Sequence, residues 1–160
     1  MSLDIPQQVC ELIGVKKTRR VLVTARDISR FAQAIGETNP LHFDEAYAAK
    51  SRYGTIVAPP LFCQTLTYDE LPREQIGADG SPAELNVPIP AQRAVGGSSE
   101  YSIRRLVRAG ETITVTSQLK DVYAKQGKSS ILYMVVVLTE FADATGQLVA
   151  SETATYIKRP

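Results

Sequence analysis

The sequence predicts an α+β fold in which a curved antiparallel sheet packs on one apolar helix. Helical patterns dominate residues 1–71, whereas residues 94–160 are typical of adjacent strands joined by short turns. Residues 129–141 form the longest β-branched and aromatic run, which is typical of a central strand.

Length and composition predict one domain, which we assign to residues 1–160. The 18 Lys and Arg residues nearly balance 17 Asp and Glu, so the net charge of +1 provides no strong field for nucleic acid or an anionic membrane. The chain shows neither a signal-peptide pattern nor a membrane span, and we expect a cytoplasmic location. A single histidine argues against a metal site, and no motif calls for a cofactor.

The first predicted elements are a short N-terminal helix and a strand. Apolar residues recur at helical spacing in residues 5–12, and Gly14 can end that helix, which we place within residues 1–14. The run RRVLV, residues 19–23, predicts a strand. The two cysteines, Cys10 and Cys63, lie in apolar helical patterns, so we expect two buried free thiols.

A second helix is predicted to begin after Thr24. Asp27 follows three residues later, which is a variant of the capping box. Gly36 is placed to end this helix. One face is apolar, since its residues recur at i, i+3, i+4 and i+7: Ile28, Phe31, Ala32 and Ile35.

Two further helices are predicted before the sheet. Asp44 can cap the short helix EAYAAKS. Residues 56–71, IVAPPLFCQTLTYDEL, predict the long central helix, because its two prolines forbid strand pairing and suit a helix start. Residues 72–92 contain six Pro and Gly residues and predict a long loop. The strands that follow include ETITVTSQL, SSILYMVVVLTEF and QLVASETATYIKR.

The stretch ETNPLHFDEAY, residues 37–47, contains the single histidine. Pro40 fixes its own φ and moves Asn39 out of the helical region, so the chain bends between Glu37 and His42. A carboxylate and an imidazole that meet at one point can hold a water and act as an acid–base pair. Spacing alone leaves open a second interpretation, in which His42 is a solvated loop residue and Glu37 a surface charge.

ETNPLHFDEAYAAKSRYGTIVAPPLF resembles the MaoC-like hydratase/dehydratase family of hotdog-fold proteins, and the resemblance covers about residues 15–158. The (R)-specific enoyl-CoA hydratases of that family carry an Asp-x-Asn-Pro-Leu-His signature, with a second Asp two residues later. The matching positions here are Glu37, Asn39, Pro40, Leu41, His42 and Asp44.

The resemblance implies a hotdog fold, with the sheet wrapped around the long central helix, and a dimer whose two sheets join. It implies reversible addition of water to trans-2-enoyl thioesters of CoA or acyl carrier protein, giving (R)-3-hydroxyacyl thioesters. Glu37 and His42 match the catalytic Asp and His, and Asn39 and Pro40 support them.

Two positions depart from the hydratases. Glu37 stands where they have Asp, and one extra methylene displaces the carboxylate by about 1 Å. Where they have His-Gly, with a Gly N–H on the thioester oxygen, this chain has Ala58-Pro59-Pro60, and neither proline has an N–H. The oxyanion donor is then expected to be Ala58 N–H, Leu61 N–H or another amide at the helix end, where the helix dipole favours negative charge. The APP variant resembles the branch with fungal-type and N-terminal dehydratase domains, some of which are non-catalytic partners of an active subunit.

Candidate substrate-binding residues complete the site. Tyr53, next to Gly54, is expected at the acyl entrance, although core packing explains it equally well. Arg104, near Arg105 and Arg108, could meet the phosphates of CoA or lie on a solvated strand face. The leading functional hypothesis is a homodimeric hydratase. The alternatives are an acyl-binding partner of a second hotdog subunit and a hotdog acyl-CoA thioesterase.

Overall fold

The computed structural model describes residues 5–67, 72–76, 87–91 and 93–160. The strands are β1 (Lys16–Leu22), β2 (Arg93–Ile103), β3 (Thr112–Gln126), β4 (Ile131–Ala142) and β5 (Leu148–Arg159). The helices are α1 (Gln7–Cys10), α2 (Ala25–Ala34), α3 (Glu45–Ala49) and α4 (Cys63–Thr67), with 3-10 turns at Pro40–His42, Pro60–Phe62 and Arg73–Gln75.

The five strands form one antiparallel sheet in the order β1-β3-β4-β5-β2. The predicted α+β architecture is therefore confirmed, and β4 is the central strand, as its apolar run predicts. Buried and partly exposed residues alternate along β3 and β4, so one face of the sheet carries the core.

The central helix packs on this buried face. The 3-10 turn at Pro60–Phe62 leads directly into α4, with Pro60 at the start as predicted. Phe62 and Leu66 belong to one apolar cluster with Val115 and Phe141 of the sheet. The predicted continuation of this helix to residue 71, and most of the predicted loop of residues 72–92, lie outside the described residues.

Helix α2 begins and ends as its sequence predicts. Thr24 Oγ1 accepts a hydrogen bond of 3.2 Å from Asp27 N–H, and the Asp27 carboxylate accepts one of 2.9 Å from Thr24 N–H. After the last turn, Gly36 adopts a φ of 73°.

The N-terminal segment differs from its prediction. Helix α1 ends at Cys10, because the chain then turns toward the sheet, where Gly14 N–H donates to the Leu119 carbonyl. Cys10 is exposed, contrary to expectation, since α1 buries the face of Val9 instead. Cys63 is buried as predicted, and this burial raises the pKa of its thiol to about 12. In the described part of the chain, no helix is both long and apolar enough to cross a membrane.

Candidate active site

The ETNPLHF stretch forms a bend between α2 and α3. Glu37 N–H donates to the Ala32 carbonyl at 2.9 Å, which closes the end of α2. Asn39 then caps the 3-10 turn, since its Oδ1 accepts from Leu41 N–H at 3.1 Å, and Pro40 occupies the first position of that turn. Asn39 and Pro40 therefore shape the loop that carries His42.

His42 is held at three points and is only 5% exposed. Its ring Nδ1 lies 2.6 Å from the carbonyl oxygen of Val57. Its backbone N–H donates to the Asn39 carbonyl at 3.1 Å, and its own carbonyl lies 3.0 Å from the hydroxyl of Ser29. A carbonyl can only accept, so the Nδ1 of a neutral imidazole carries the proton and Nε2 carries the lone pair.

Glu37 has one oxygen engaged by the backbone. Its Oε1 accepts from Thr38 N–H at 2.8 Å and from Asn39 N–H at 3.0 Å. The Asn39 and Thr38 amides lower the pKa of the Glu37 carboxyl, burial opposes them, and the positive form of His42 lowers it further. Glu37 is therefore ionised near neutral pH, and its side chain interacts electrostatically with His42.

The start of the central helix offers one amide. Ala58 N–H donates to the Val107 carbonyl at 2.8 Å, so the expectation that Ala58 could be the oxyanion donor is wrong. Pro59 and Pro60 have no N–H. Leu61 is the second residue of the 3-10 turn at Pro60–Phe62, and among the described residues no acceptor meets its N–H.

The segment that binds Ala58 is fixed by an ion-pair cluster. Arg105 donates to Glu111 at 2.9 Å and to Asp143 at 3.0 Å. Hydrogen bonds from the Thr145 hydroxyl and then from Arg105 lower the pKa of the Asp143 carboxyl. Arg105 is thus committed to the fold. Arg104 is exposed, and its backbone N–H donates to the Val149 carbonyl at 2.8 Å.

The loop after α3 borders a groove of about 460 Å³. Arg52 donates to the Tyr53 hydroxyl at 2.6 Å, and its guanidinium carbon lies 4.8 Å from the centre of the Tyr53 ring. Gly54 is a turn residue with a φ of 73°. The lining residues are Leu41, Tyr47, Lys50, Ser51, Arg52 and Tyr53. Because Leu41 precedes His42, the groove adjoins the loop that carries the histidine.

Sequence reasoning missed two residues that position His42, namely Ser29 and Val57. Ser29 is a polar residue in the middle of α2, and Val57 acts through its backbone. Neither carries a sequence signal, because both contacts depend on how distant segments meet. Among the described residues, no group of three His, Cys, Asp or Glu side chains could hold a metal ion.

Comparison with known proteins identifies relatives. A family model described as "FAS1-like, dehydratase domain region" matches residues 11–152. A "UPF0336 protein" of Streptomyces griseus is 32% identical over 136 residues, which cover 82% of this chain and 81% of that protein.

Two solved structures are similar in fold. The MaoC-like dehydratase from Rhodospirillum rubrum has a TM-score of 0.66 and 22% identity, over 92% of this chain and 94% of that one. A chain of the C-terminally truncated HadBC (3R-hydroxyacyl-ACP dehydratase) complex from Mycobacterium tuberculosis has a TM-score of 0.70 and 21% identity, over 91% and 96%. These similarities confirm the predicted hotdog fold.

Proposed function

The chain belongs to the family of FAS1-like dehydratase domain regions, and from this membership we propose that it hydrates trans-2-enoyl thioesters reversibly to (R)-3-hydroxyacyl thioesters. The predicted MaoC-like resemblance is confirmed, whereas the APP branch stays a prediction. The observation that carries the proposal is the anchored ring of His42, whose Nε2 is left as a proton acceptor near the ionised Glu37.

Glu37, His42 and Leu61 have separate roles in the proposed hydration. The free oxygen of Glu37 accepts a hydrogen bond from the attacking water, and a lowered carboxyl pKa suits this role better than proton removal. His42 Nε2 takes a proton from the water as its oxygen bonds to C3 of the enoyl chain. The imidazolium then returns that proton to C2, which balances the addition. Leu61 N–H holds the thioester oxygen while the enolate forms.

The groove beside Tyr53 is proposed as the entrance for the carrier arm, either CoA or acyl carrier protein. Lys50 and Arg52 line it with positive charge, which suits a phosphate. Arg104 stays a further candidate for a phosphate contact, since its guanidinium is exposed.

We also propose that a second hotdog subunit pairs with strand β2. The sheet has two edges, β1 and β2. Strand β1 has the sequence KKTRRVL, and a charged edge resists pairing. Strand β2 contains the uncharged run AVGGSS, and its residues 95–100 are exposed. The second subunit is a copy of this chain or a different hotdog protein, in keeping with the HadBC complex.

A second candidate function follows from the helix start. With Ala58 N–H engaged and two prolines beside it, Leu61 is the single amide available there among the described residues. The chain would then bind the acyl group as the partner of a hotdog subunit that supplies the chemistry.

One experiment separates these functions from a thioesterase. Purified protein is mixed with crotonyl-CoA, and loss of the conjugated thioester absorbance is followed alongside free thiol. Loss of absorbance by the chain alone, without release of free thiol, supports the hydratase. Loss only after a second hotdog subunit is added supports the partner role. Thiol release without hydration would replace both with a thioesterase.

A further inference from the structure

A row of polar side chains crosses the buried face of the sheet. Ser117 of β3 lies opposite Thr139 of β4, which lies opposite Glu152 of β5. The three residues are 8%, 2% and 5% exposed, so they are as buried as the apolar core. The carboxylate of Glu152 therefore lies in the interior, with the two hydroxyls on one side, and Tyr101 of β2 is opposite Glu152 on the other side.

The polar row separates two apolar clusters. One cluster contains Val115, Phe141 and Ala150, and the other contains Leu119 and Val137. Each of these residues lies two positions along its strand from a member of the row and therefore faces the same side. A continuous apolar core would be the more stable arrangement, because burying polar groups is unfavourable unless they are hydrogen-bonded.

The row is not satisfied by the described residues. The carboxylate of Glu152 has no hydrogen-bond or ion-pair partner among them, and the Ser117 and Thr139 hydroxyls lie 3.4 Å apart, at the limit of a hydrogen bond. Thr67, at the end of α4, is 9% exposed, and its Oγ1 has no hydrogen-bond partner within the described part of the chain. Buried groups of this kind are uncommon and call for an explanation.

Helix α4 packs in the apolar cluster that borders one side of the row. Leu61 stands at the start of the helical segment and Thr67 six residues later, a distance of about 9–12 Å along its axis. Between them, Phe62 and Leu66 pack in the same cluster as Val115 and Ala150, which border the row. An acyl chain held at Leu61 and running along the helix would reach the level of Thr67 at medium length.

We propose that the polar row, defined by Ser117, Thr139 and Glu152, recognises a hydroxyl group on the acyl chain remote from the thioester. The inference rests on the proposed hydratase function and names its substrate class. A hydroxyl can donate to the carboxylate and accept from a Ser or Thr hydroxyl, which matches the row. A plain hydrocarbon would leave the carboxylate unpaired, and an ammonium group would bury a second charge.

The test uses two trans-2-enoyl thioesters of equal medium length, one with a distal hydroxyl and one without. Wild type should have a kcat/KM about 10- to 100-fold higher for the hydroxylated chain, the range of one charge-assisted hydrogen bond. Glu152→Leu should abolish this preference, and Glu152→Gln should weaken it. Glu140→Gln is the matched control, because Glu140 lies on the opposite face of β4 and should leave the preference unchanged.

Equal kcat/KM values for the two chains would overturn the inference while leaving the hydratase intact. If neither enoyl thioester is turned over, the proposed function fails. Calorimetry then compares the binding of the same two acyl groups as pantetheine thioesters, and this comparison decides the inference. Tighter binding of the hydroxylated chain supports it, and equal or absent binding overturns it.

The thermal stability of a Glu152 variant tests the role of this carboxylate independently of activity. Glu152→Leu should raise the Tm by about 3 °C or more, because an apolar side chain replaces a buried carboxyl group that has no partner among the described residues. A fall in Tm would assign Glu152 a structural role and contradict the inference.

Discussion

The ring of His42 donates from Nδ1 to the carbonyl oxygen of Val57 at 2.6 Å. This one contact sets both the tautomer and the direction of the imidazole. It also joins the loop after α2 to residues 57–58, which are bonded in turn to the segment around Val107. The proposed base and the start of the central helix are thereby parts of one hydrogen-bonded frame.

The contact predicts that neutral His42 carries its proton on Nδ1. Because His42 is the single histidine of the chain, ¹⁵N NMR of the imidazole gives one unambiguous pair of signals. The protonated nitrogen should be Nδ1 at a pH where the ring is neutral. Observation of the Nε2–H tautomer would contradict the proposal, because Nε2 would then have no lone pair to accept a proton from the water.

The amide of Leu61 is predicted to hold the enolate oxygen. Leu61→Pro removes the N–H in the first helical turn, where proline is tolerated, and should lower kcat by about 10²- to 10³-fold. Leu61→Ala keeps the N–H and should retain most of the activity. Circular dichroism serves as the folding control. If a folded Leu61→Pro variant is as active as Leu61→Ala, another amide binds the oxyanion.

Glu37 is predicted to stay ionised at lower pH than an ordinary glutamate. The Asn39 and Thr38 amides lower the pKa of its carboxyl below the ordinary value for glutamate, so Glu37 stays ionised at pH values where an ordinary glutamate begins to take up a proton. A ¹³C NMR titration measures this pKa directly. In His42→Ala the pKa should rise, because the positive charge is gone. A wild-type pKa at or above the ordinary value for glutamate would contradict the hydrogen bonding of Oε1.

The uncharged edge of the sheet is predicted to be the subunit interface. Ser99→Lys places a charge on the exposed middle of β2 and should shift the protein from dimer to monomer in light scattering. Thr18→Lys is the matched control on the already basic β1 and should leave the dimer intact. The assignment is wrong if Thr18→Lys dissociates the dimer and Ser99→Lys does not.

The structural elements that depend on contacts between residues close in sequence were predicted correctly. The capping box of Thr24 and Asp27, the bend at Asn39-Pro40 and the cap at Asp44 each depend on residues within four positions of one another. The pairing of Glu37 with His42 as a catalytic unit, and the assignment of residues 1–160 to one domain, stay predictions.

Long-range contacts could not be predicted in this way. The Ala58 N–H is engaged by Val107, about 50 residues away, and nothing near Ala58 in sequence signals that bond. The polar row is similar, because Ser117, Thr139 and Glu152 meet through strand register alone. The prediction that Cys10 is buried is wrong, because α1 is too short to bury more than the face of Val9.

The extra methylene of Glu37 permits a finer comparison. Glu37→Asp restores the residue of the (R)-specific hydratases and keeps the charge. The backbone amides of Thr38 and Asn39 already hold the Glu37 oxygen, so the loop is adjusted to glutamate. We therefore expect Glu37→Asp to lower kcat, and a rise in kcat would show that the longer side chain is a handicap.

The central claim is that Glu37 and His42 together activate one water. The most direct test is the rate of enoyl-CoA hydration by His42→Ala and Glu37→Gln, each compared with wild type in the form that is active, alone or with its partner subunit. Each variant should lose about 10²- to 10⁴-fold in kcat while keeping the circular dichroism spectrum of wild type. Retention of wild-type hydration by both variants would contradict the claim.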